Sequence, residues 1–155
     1  MNRPAILGGT PTFSPPLPFV KPLLPDYEDM EPQLKDMFSS GMLTKGKYLK
    51  EYEEDLKEYL SVGNAIGVSS CTLGLILVLH GMDLKGEVIV PSFTFPSTVH
   101  SIMWNNLKPV FVDCNPETFN VMPSKVEEAI TSQTSAIMAV HVFGNPCEIE
   151  ALEDI

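Results

Sequence analysis

From residue 65 onward, short apolar runs alternate with stretches of helical character. The runs are 65–68, 87–90, 109–113 and 136–141; the helical stretches are 71–81, 98–104, 123–130 and 146–155. Runs such as Val88-Ile89-Val90, after Glu87, and Ala136-Ile137-Met138-Ala139-Val140 are apolar at consecutive rather than alternate positions, which suits strands buried on both faces. Strands separated by helices pair through crossovers. The expected fold is therefore α/β, with three layers (α/β/α) around a mainly parallel sheet. Ligands of such sheets bind beyond the carboxyl ends of the strands, so the residues following each run are where chemistry is expected.

The chain ahead of this alternation has a different character. Eight of the fourteen prolines lie in the first 32 residues. Their missing amide donors predict an extended, proline-rich arm over residues 1–25. Ile6, Leu7, Phe13, Leu17, Phe19, Val20, Leu23 and Leu24 make this arm apolar enough to pack along the domain or onto a partner subunit. A helix is expected over 26–38, with acidic residues in its first turn. A loop with two glycines follows over 39–47. A second helix is expected over 48–60, where Tyr48, Leu49, Tyr52, Leu56, Tyr59 and Leu60 recur at helical spacing. Residues 26–155 are read as one partial domain.

Composition removes several function classes. Twenty Asp and Glu against ten Lys and Arg give a formal net charge of −10, which opposes binding to a nucleic-acid backbone or to an anionic membrane surface. The apolar runs fall far short of the roughly 20 residues a membrane-spanning helix needs. Prolines interrupt any signal-peptide core after Met1-Asn2-Arg3. The three cysteines, Cys71, Cys114 and Cys147, are odd in number and lack CxxC spacing, as expected of reduced thiols in a cytoplasmic protein. His80, His100 and His141 show no metal-ligand spacing, so no metal site is expected.

Four segments follow the runs. Ser69-Ser70-Cys71-Thr72 opens a helix, where free backbone amides and small hydroxyls suit an anion; plain capping by Ser69 or Ser70 explains the same residues. The segment is neither GxGxxG nor GxxxxGK[ST], so neither a dinucleotide fold nor a P-loop is supported. Phe93 and Phe95 sit in the loop after 87–90, where Phe95 suits either stacking on a planar ligand or core packing. Asp113 precedes Asn115-Pro116, and turn formation is its simpler explanation. His141 ends the fourth run, placed either for function or as a satisfied core histidine.

Five segments, in order, together resemble the DegT/StrS family of pyridoxal-phosphate-dependent sugar aminotransferases. They are the loop Ser40-Gly41-Met42-Leu43-Thr44-Lys45-Gly46 with the helix after it, Val68-Ser69-Ser70-Cys71-Thr72-Leu73-Gly74, Glu87-Val88-Ile89-Val90-Pro91-Ser92-Phe93-Thr94-Phe95, the strand and turn from Lys108 to Val121, and Val140-His141-Val142-Phe143-Gly144-Asn145-Pro146. The resemblance implies the amino-terminal part of a fold-type I transferase large domain, pyridoxal 5′-phosphate as cofactor, a homodimer, and a nucleotide-linked keto-sugar and an amino donor as substrates. By position, Cys71 and Thr72 match the dipeptide that holds the cofactor phosphate. The family often has glycine in place of Cys71, but a backbone contact needs no particular side chain. Phe95 matches the aromatic that stacks on the pyridine ring. His141 and Asn145 lie at the strand end nearest the cofactor. Gly41, Thr44 and Gly46 belong to the loop that faces the nucleotide-sugar.

The family's Schiff-base lysine and the aspartate that pairs with the pyridine nitrogen lie beyond the last matched segment. None of the nine lysines here matches that role. The last residues, Glu150-Ala151-Leu152-Glu153-Asp154-Ile155, carry no capping stop and place acids where a helix dipole disfavours them. The expectation is a domain truncated at its carboxyl end, with no catalytic residue of its own and inactive alone. Two alternatives stand beside an aminotransferase parent. One is a deoxysugar dehydratase of the same family, with histidine in place of the lysine. The other is a non-catalytic truncated binding domain.

Overall fold

The computed structural model describes residues 3–18 and 20–155. The chain divides into two compact units, Met1–Ala65 and Ile66–Ile155.

In the first unit, residues 3–18 and 20–26 are irregular apart from a 3-10 turn at Ala5–Leu7. The apolar side chains of this stretch are exposed, Leu23 fully so; Phe19 falls outside the described residues. Helices α1 (Tyr27–Ser40) and α2 (Lys47–Leu60) follow, close to their expected bounds. Pro32 lies inside α1, where it removes one backbone donor. Gly41 ends α1 in the left-handed region (φ 69°), its amide returning to the Met37 carbonyl at 3.0 Å. That conformation favours a residue without Cβ. Neither helix has a buried residue.

The second unit is the α/β body. Its elements are α3 (Cys71–Gly81), β1 (Glu87–Pro91), α4 (Pro96–Trp104), β2 (Lys108–Val112), α5 (Pro123–Ala129), β3 (Thr134–Ile137) and α6 (Ile149–Glu153). The three strands are parallel, in the order β2-β1-β3. Ile89 on β1 is opposite both Val110 and Ile137. Ser135 is the extra residue where the β1–β3 register shifts, and its hydroxyl donates to the Glu87 carbonyl at 3.0 Å.

Strand β1 is buried along its whole length, and its side chains feed two cores. Val88 and Val90 pack with Leu79 of α3 and Ile102 of α4. Ile89 packs on the opposite face with Val126 of α5 and Leu152 of α6. The sheet is therefore covered on both sides, giving the three layers expected from the alternation. Each fully buried aliphatic side chain contributes ~1.5–3 kcal/mol, which makes β1 the anchor of the unit.

Three expectations are corrected. Residues 65–68 form no strand; Ile66 is 81 % exposed. The run expected as a strand to His141 leaves the sheet after Ile137, with one further ladder bond from the Met138 amide to the Ile89 carbonyl at 2.8 Å. The helix expected over 146–155 is limited to Ile149–Glu153. A strand needs a lateral partner, and apolar content alone does not supply one.

Candidate functional site

The chain passes from β1 to β2 on one side and then crosses to β3 on the other. This reversal puts a crevice between the carboxyl ends of β1 and β3, where open parallel sheets take their ligands. A cavity of about 450 Å³ lies there. One wall comes from the loop after β1 and the start of α4: Phe93, Thr94, Phe95 and Thr98. The other comes from the segment after β3: Val140, His141, Val142 and Phe143.

Phe95 is 75 % exposed, so it is not a core residue and its ring is available to a ligand. Phe93 is half-buried and packs on Phe119 (centroids 5.4 Å apart) and Phe143 (6.2 Å). The Thr94 and Thr98 hydroxyls are 2.9 Å apart and share a hydrogen bond. His141 is exposed, and its Nδ1 accepts from the Cys147 amide at 3.1 Å, with the Cys147 Sγ at 3.3 Å. A nitrogen that accepts from a backbone amide carries no proton. The neutral ring therefore has its proton on Nε2.

The other candidate residues are placed as follows. Ser70 caps α3, its hydroxyl oxygen accepting from the Leu73 amide at 3.2 Å. Cys71 and Thr72 are the first two residues of α3, so their amides have no intrahelical carbonyl to bond. Thr72 lines a cavity separate from that of Phe95, about 500 Å³ in size, together with His100, Met103 and Trp104. Phe95 and His141 thus share one cavity, and Thr72 lies in another. Asn145 is exposed, and its Nδ2 donates to the Thr118 carbonyl at 3.3 Å.

In the first unit, Gly41 ends α1 and Gly46 precedes α2, with the Gly46 amide donating to the Thr44 carbonyl at 2.8 Å. Gly46 lines a cavity of about 360 Å³ with Asp36, Lys45 and Lys47. There the Asp36 carboxylate accepts from Lys47 Nζ at 2.9 Å and from the Tyr48 hydroxyl at 3.1 Å. Lys47 first, then Tyr48, hold the Asp36 carboxyl below its ordinary range, and Asp36 in turn raises Lys47.

One residue with a clear structural role was not singled out from the sequence. Asn120 is 5 % exposed and bonds three backbone groups of the segment after β3. Its partners lie 22 to 26 residues away. The only local signal is a polar amide standing directly before an apolar pair, Val121-Met122.

Among the described residues, no group of His, Cys, Asp or Glu is arranged to hold a metal ion. No helix among them is long and apolar enough to cross a membrane.

The family model of the DegT/DnrJ/EryC1/StrS aminotransferases matches residues 26–155. The chain belongs to this family. Among the curated relatives of the chain, the dTDP-4-amino-4,6-dideoxy-D-glucose transaminase of Escherichia coli is 38 % identical over 140 residues, covering 90 % of this chain and 38 % of that enzyme. The crystal structure of DesI with its TDP-sugar product matches with a TM-score of 0.87 at 36 % identity, over 97 % of this chain and 38 % of DesI. The E. coli GDP-4-keto-6-deoxy-D-mannose-3-dehydratase with bound hydrated PLP matches with a TM-score of 0.78 at 26 % identity, over 88 % of this chain and 37 % of that one. The chain thus spans less than two fifths of the length of each of these proteins. The mixed α/β fold with its parallel sheet is the one these structures share.

Proposed function

We propose that this chain forms the cofactor cradle of a pyridoxal 5′-phosphate-dependent aminotransferase acting on a nucleotide-linked keto-sugar. The observation that carries the reading is the shared cavity of Phe95 and His141 at the β1–β3 switch point, in a chain whose relatives include sugar aminotransferases.

The residues of the Phe95–His141 cavity fit the ring of the group, and its phosphate is assigned to the start of α3, where Thr72 lines a separate cavity. Phe95 offers an exposed aromatic face to a planar ring. His141 offers an Nε2–H donor to a polar ring edge, its orientation held by the Cys147 amide. The free amides of Cys71 and Thr72, at the positive end of an 11-residue helix, suit a phosphate without any lysine. Phe93 and Phe143 supply apolar surface beside the ring. Asn145 completes the strand-end segment, and Gly41, Thr44 and Gly46 are assigned to the sugar substrate. The chemistry the cofactor supplies when bound is an electron sink for moving an amino group from an amino-acid donor to the keto-sugar. No lysine is among the residues lining the cavity. The lysine that would carry the cofactor covalently is therefore assigned outside these residues, and the chain alone is proposed not to transaminate. The full enzyme is proposed to work as a homodimer. The match to the GDP-4-keto-6-deoxy-D-mannose-3-dehydratase favours a second reading, a dehydratase with the same cradle.

The test is a titration of the chain with pyridoxal 5′-phosphate, followed by absorbance, by near-UV circular dichroism, and by peptide mapping after borohydride. Saturable binding without a reduced lysine adduct is expected. Absence of saturable binding at millimolar cofactor overturns the cradle. A single stoichiometric lysine adduct overturns the proposed inactivity.

A further inference from the structure

We infer that Asn120 is the positioning residue for the His141–Phe143 wall of the cavity. Its Nδ2 donates to the carbonyls of Asn145 (3.1 Å) and Pro146 (3.0 Å), and its Oδ1 accepts from the Val142 amide (3.2 Å). Asn120 is not among the residues lining the cavity, so any influence on a ligand passes through residues 141–146.

The chemistry of the site demands a carboxamide. The segment presents one backbone donor and two backbone acceptors to a single buried side chain, and only a group with two N–H donors and a carbonyl oxygen meets all three at this reach. Asn120 is itself held, with its own carbonyl accepting from the Asn115 amide at 2.9 Å and its amide donating to Thr118 Oγ1 at 3.4 Å.

The held segment is one that would not keep its shape unaided. Phe143 is 89 % exposed and sits in the left-handed region (φ 54°, ψ 23°), followed by Gly144 at φ 81°. A side chain in that region costs ~1–2 kcal/mol, and such conformations persist where surrounding contacts over-determine them. Two braces do so here. Asn120 pins Val142, Asn145 and Pro146, and the Cys147 amide pins the ring of His141. The first brace sets the backbone that brings the Cys147 amide within reach of the His141 Nδ1. Loss of the carboxamide should therefore release the imidazole although the bonds of Asn120 go to the backbone of Val142, Asn145 and Pro146 and not to the imidazole.

The test is Asn120→Asp, which keeps the size and replaces two donors by an acceptor facing two carbonyls. The first readout is the 15N–15N coupling through the hydrogen bond between the Cys147 amide and the His141 Nδ1. It should be present in the unmodified protein and lost in the variant, a signature that a general loss of stability in a still-folded protein does not produce. The second readout is pyridoxal 5′-phosphate affinity, expected to fall about tenfold, the size of one charge-assisted or unsatisfied buried bond. The affinity arm rests on the cofactor reading above; the coupling arm does not. Coupling absent from the unmodified protein, or retained in Asn120→Asp, overturns the inference whatever the affinity does. Coupling lost with affinity unchanged upholds the positioning role and overturns the cofactor reading of this cavity. If the variant does not fold, amide exchange in the unmodified protein decides. Protection of the Val142 amide comparable to that of β1 supports the clamp, and exchange at the rate of a free loop overturns it.

Discussion

The two ends of the central strand show how differently one sheet can be finished. At its amino end β1 begins with Glu87, a carboxylate only 7 % exposed whose two oxygens each have a partner: Lys108 Nζ on Oε1 and Thr131 Oγ1 on Oε2, both at 2.8 Å. A buried charge paired in this way ties β1 to β2 and to the turn before β3. At its carboxyl end β1 runs into a loop with Phe95 75 % exposed, facing Phe143 at 89 % exposure. Two phenylalanines near this end, Phe119 and Phe143, hold positive φ. One end satisfies its polar groups and exposes little. The other exposes aromatic surface and holds strained backbone. The second pattern is the one expected where a ligand, and not another part of the core, is to fill the space.

The largest expected effect belongs to neither end. Ile89 is fully buried in the middle of β1. Ile89→Ala should cost ~2–5 kcal/mol, read as a lowered midpoint in denaturant unfolding. A loss below ~1 kcal/mol would mean that β1 does not anchor the unit, and the contrast between its ends would lose its basis.

Next in size is the amino end. The Glu87 carboxyl is held below its ordinary value of 4.5, chiefly by Lys108 and then by Thr131. A carboxyl whose folded pKa is depressed contributes stability that is complete above the unfolded value and is lost as pH falls through the folded value. Glu87→Gln should therefore be less stable than the unmodified protein at pH 7, by less than Ile89→Ala. The gap between the two proteins should narrow as pH is lowered past 4.5. Thermal unfolding across pH 3–7 checks this, and the difference between the two proteins cancels the other carboxylates. A gap independent of pH would mean that the charge at this end is not what holds it.

At the carboxyl end the expectation reverses. Phe95→Ala removes an exposed ring, so stability should stay within ~0.5 kcal/mol. Affinity for pyridoxal 5′-phosphate should fall roughly three- to tenfold, the worth of one aromatic stack. A clear fall in melting temperature with unchanged affinity would make Phe95 a packing residue and erase the difference between the ends.

The same contrast explains what was legible in the sequence. The helices and the strands β1 and β2 announce themselves through local patterns, and the alternation of the two gives the layers. The fate of 65–68 and of 138–141 depended on which strands pair, and their apolar residues carry no record of that. Phe95 and His141 were singled out because one lies in the loop after a strand run and the other ends one, where the parallel-sheet rule directs attention. Asn120 was not, because its role exists only through partners some two dozen residues away. Read locally, Thr118-Phe119-Asn120 is a turn continuing from Asn115, whose side chain does accept from the Glu117 and Thr118 amides. A residue that organises a site through long-range backbone contacts leaves almost no local trace.

The smallest expected effect is the sharpest test of the comparison, because it asks whether a substitution at the carboxyl end can stabilise the fold. Phe143 adopts φ 54° and is 89 % exposed, with its ring 6.2 Å from that of Phe93. Phe143→Gly relieves ~1–2 kcal/mol of left-handed strain. Against this stand the greater freedom of glycine in the unfolded chain, ~0.5–1 kcal/mol, and one loose aromatic contact. The net should be a gain of ~0.5 kcal/mol in unfolding free energy, alongside weaker cofactor binding from the lost wall. Thermal unfolding and a cofactor titration on the same variant read both. A stabilised variant that binds less tightly would mean that strain at this end is kept for the ligand. A destabilised one would mean that Phe143 packs like any core residue, and that the two ends of β1 differ in appearance only.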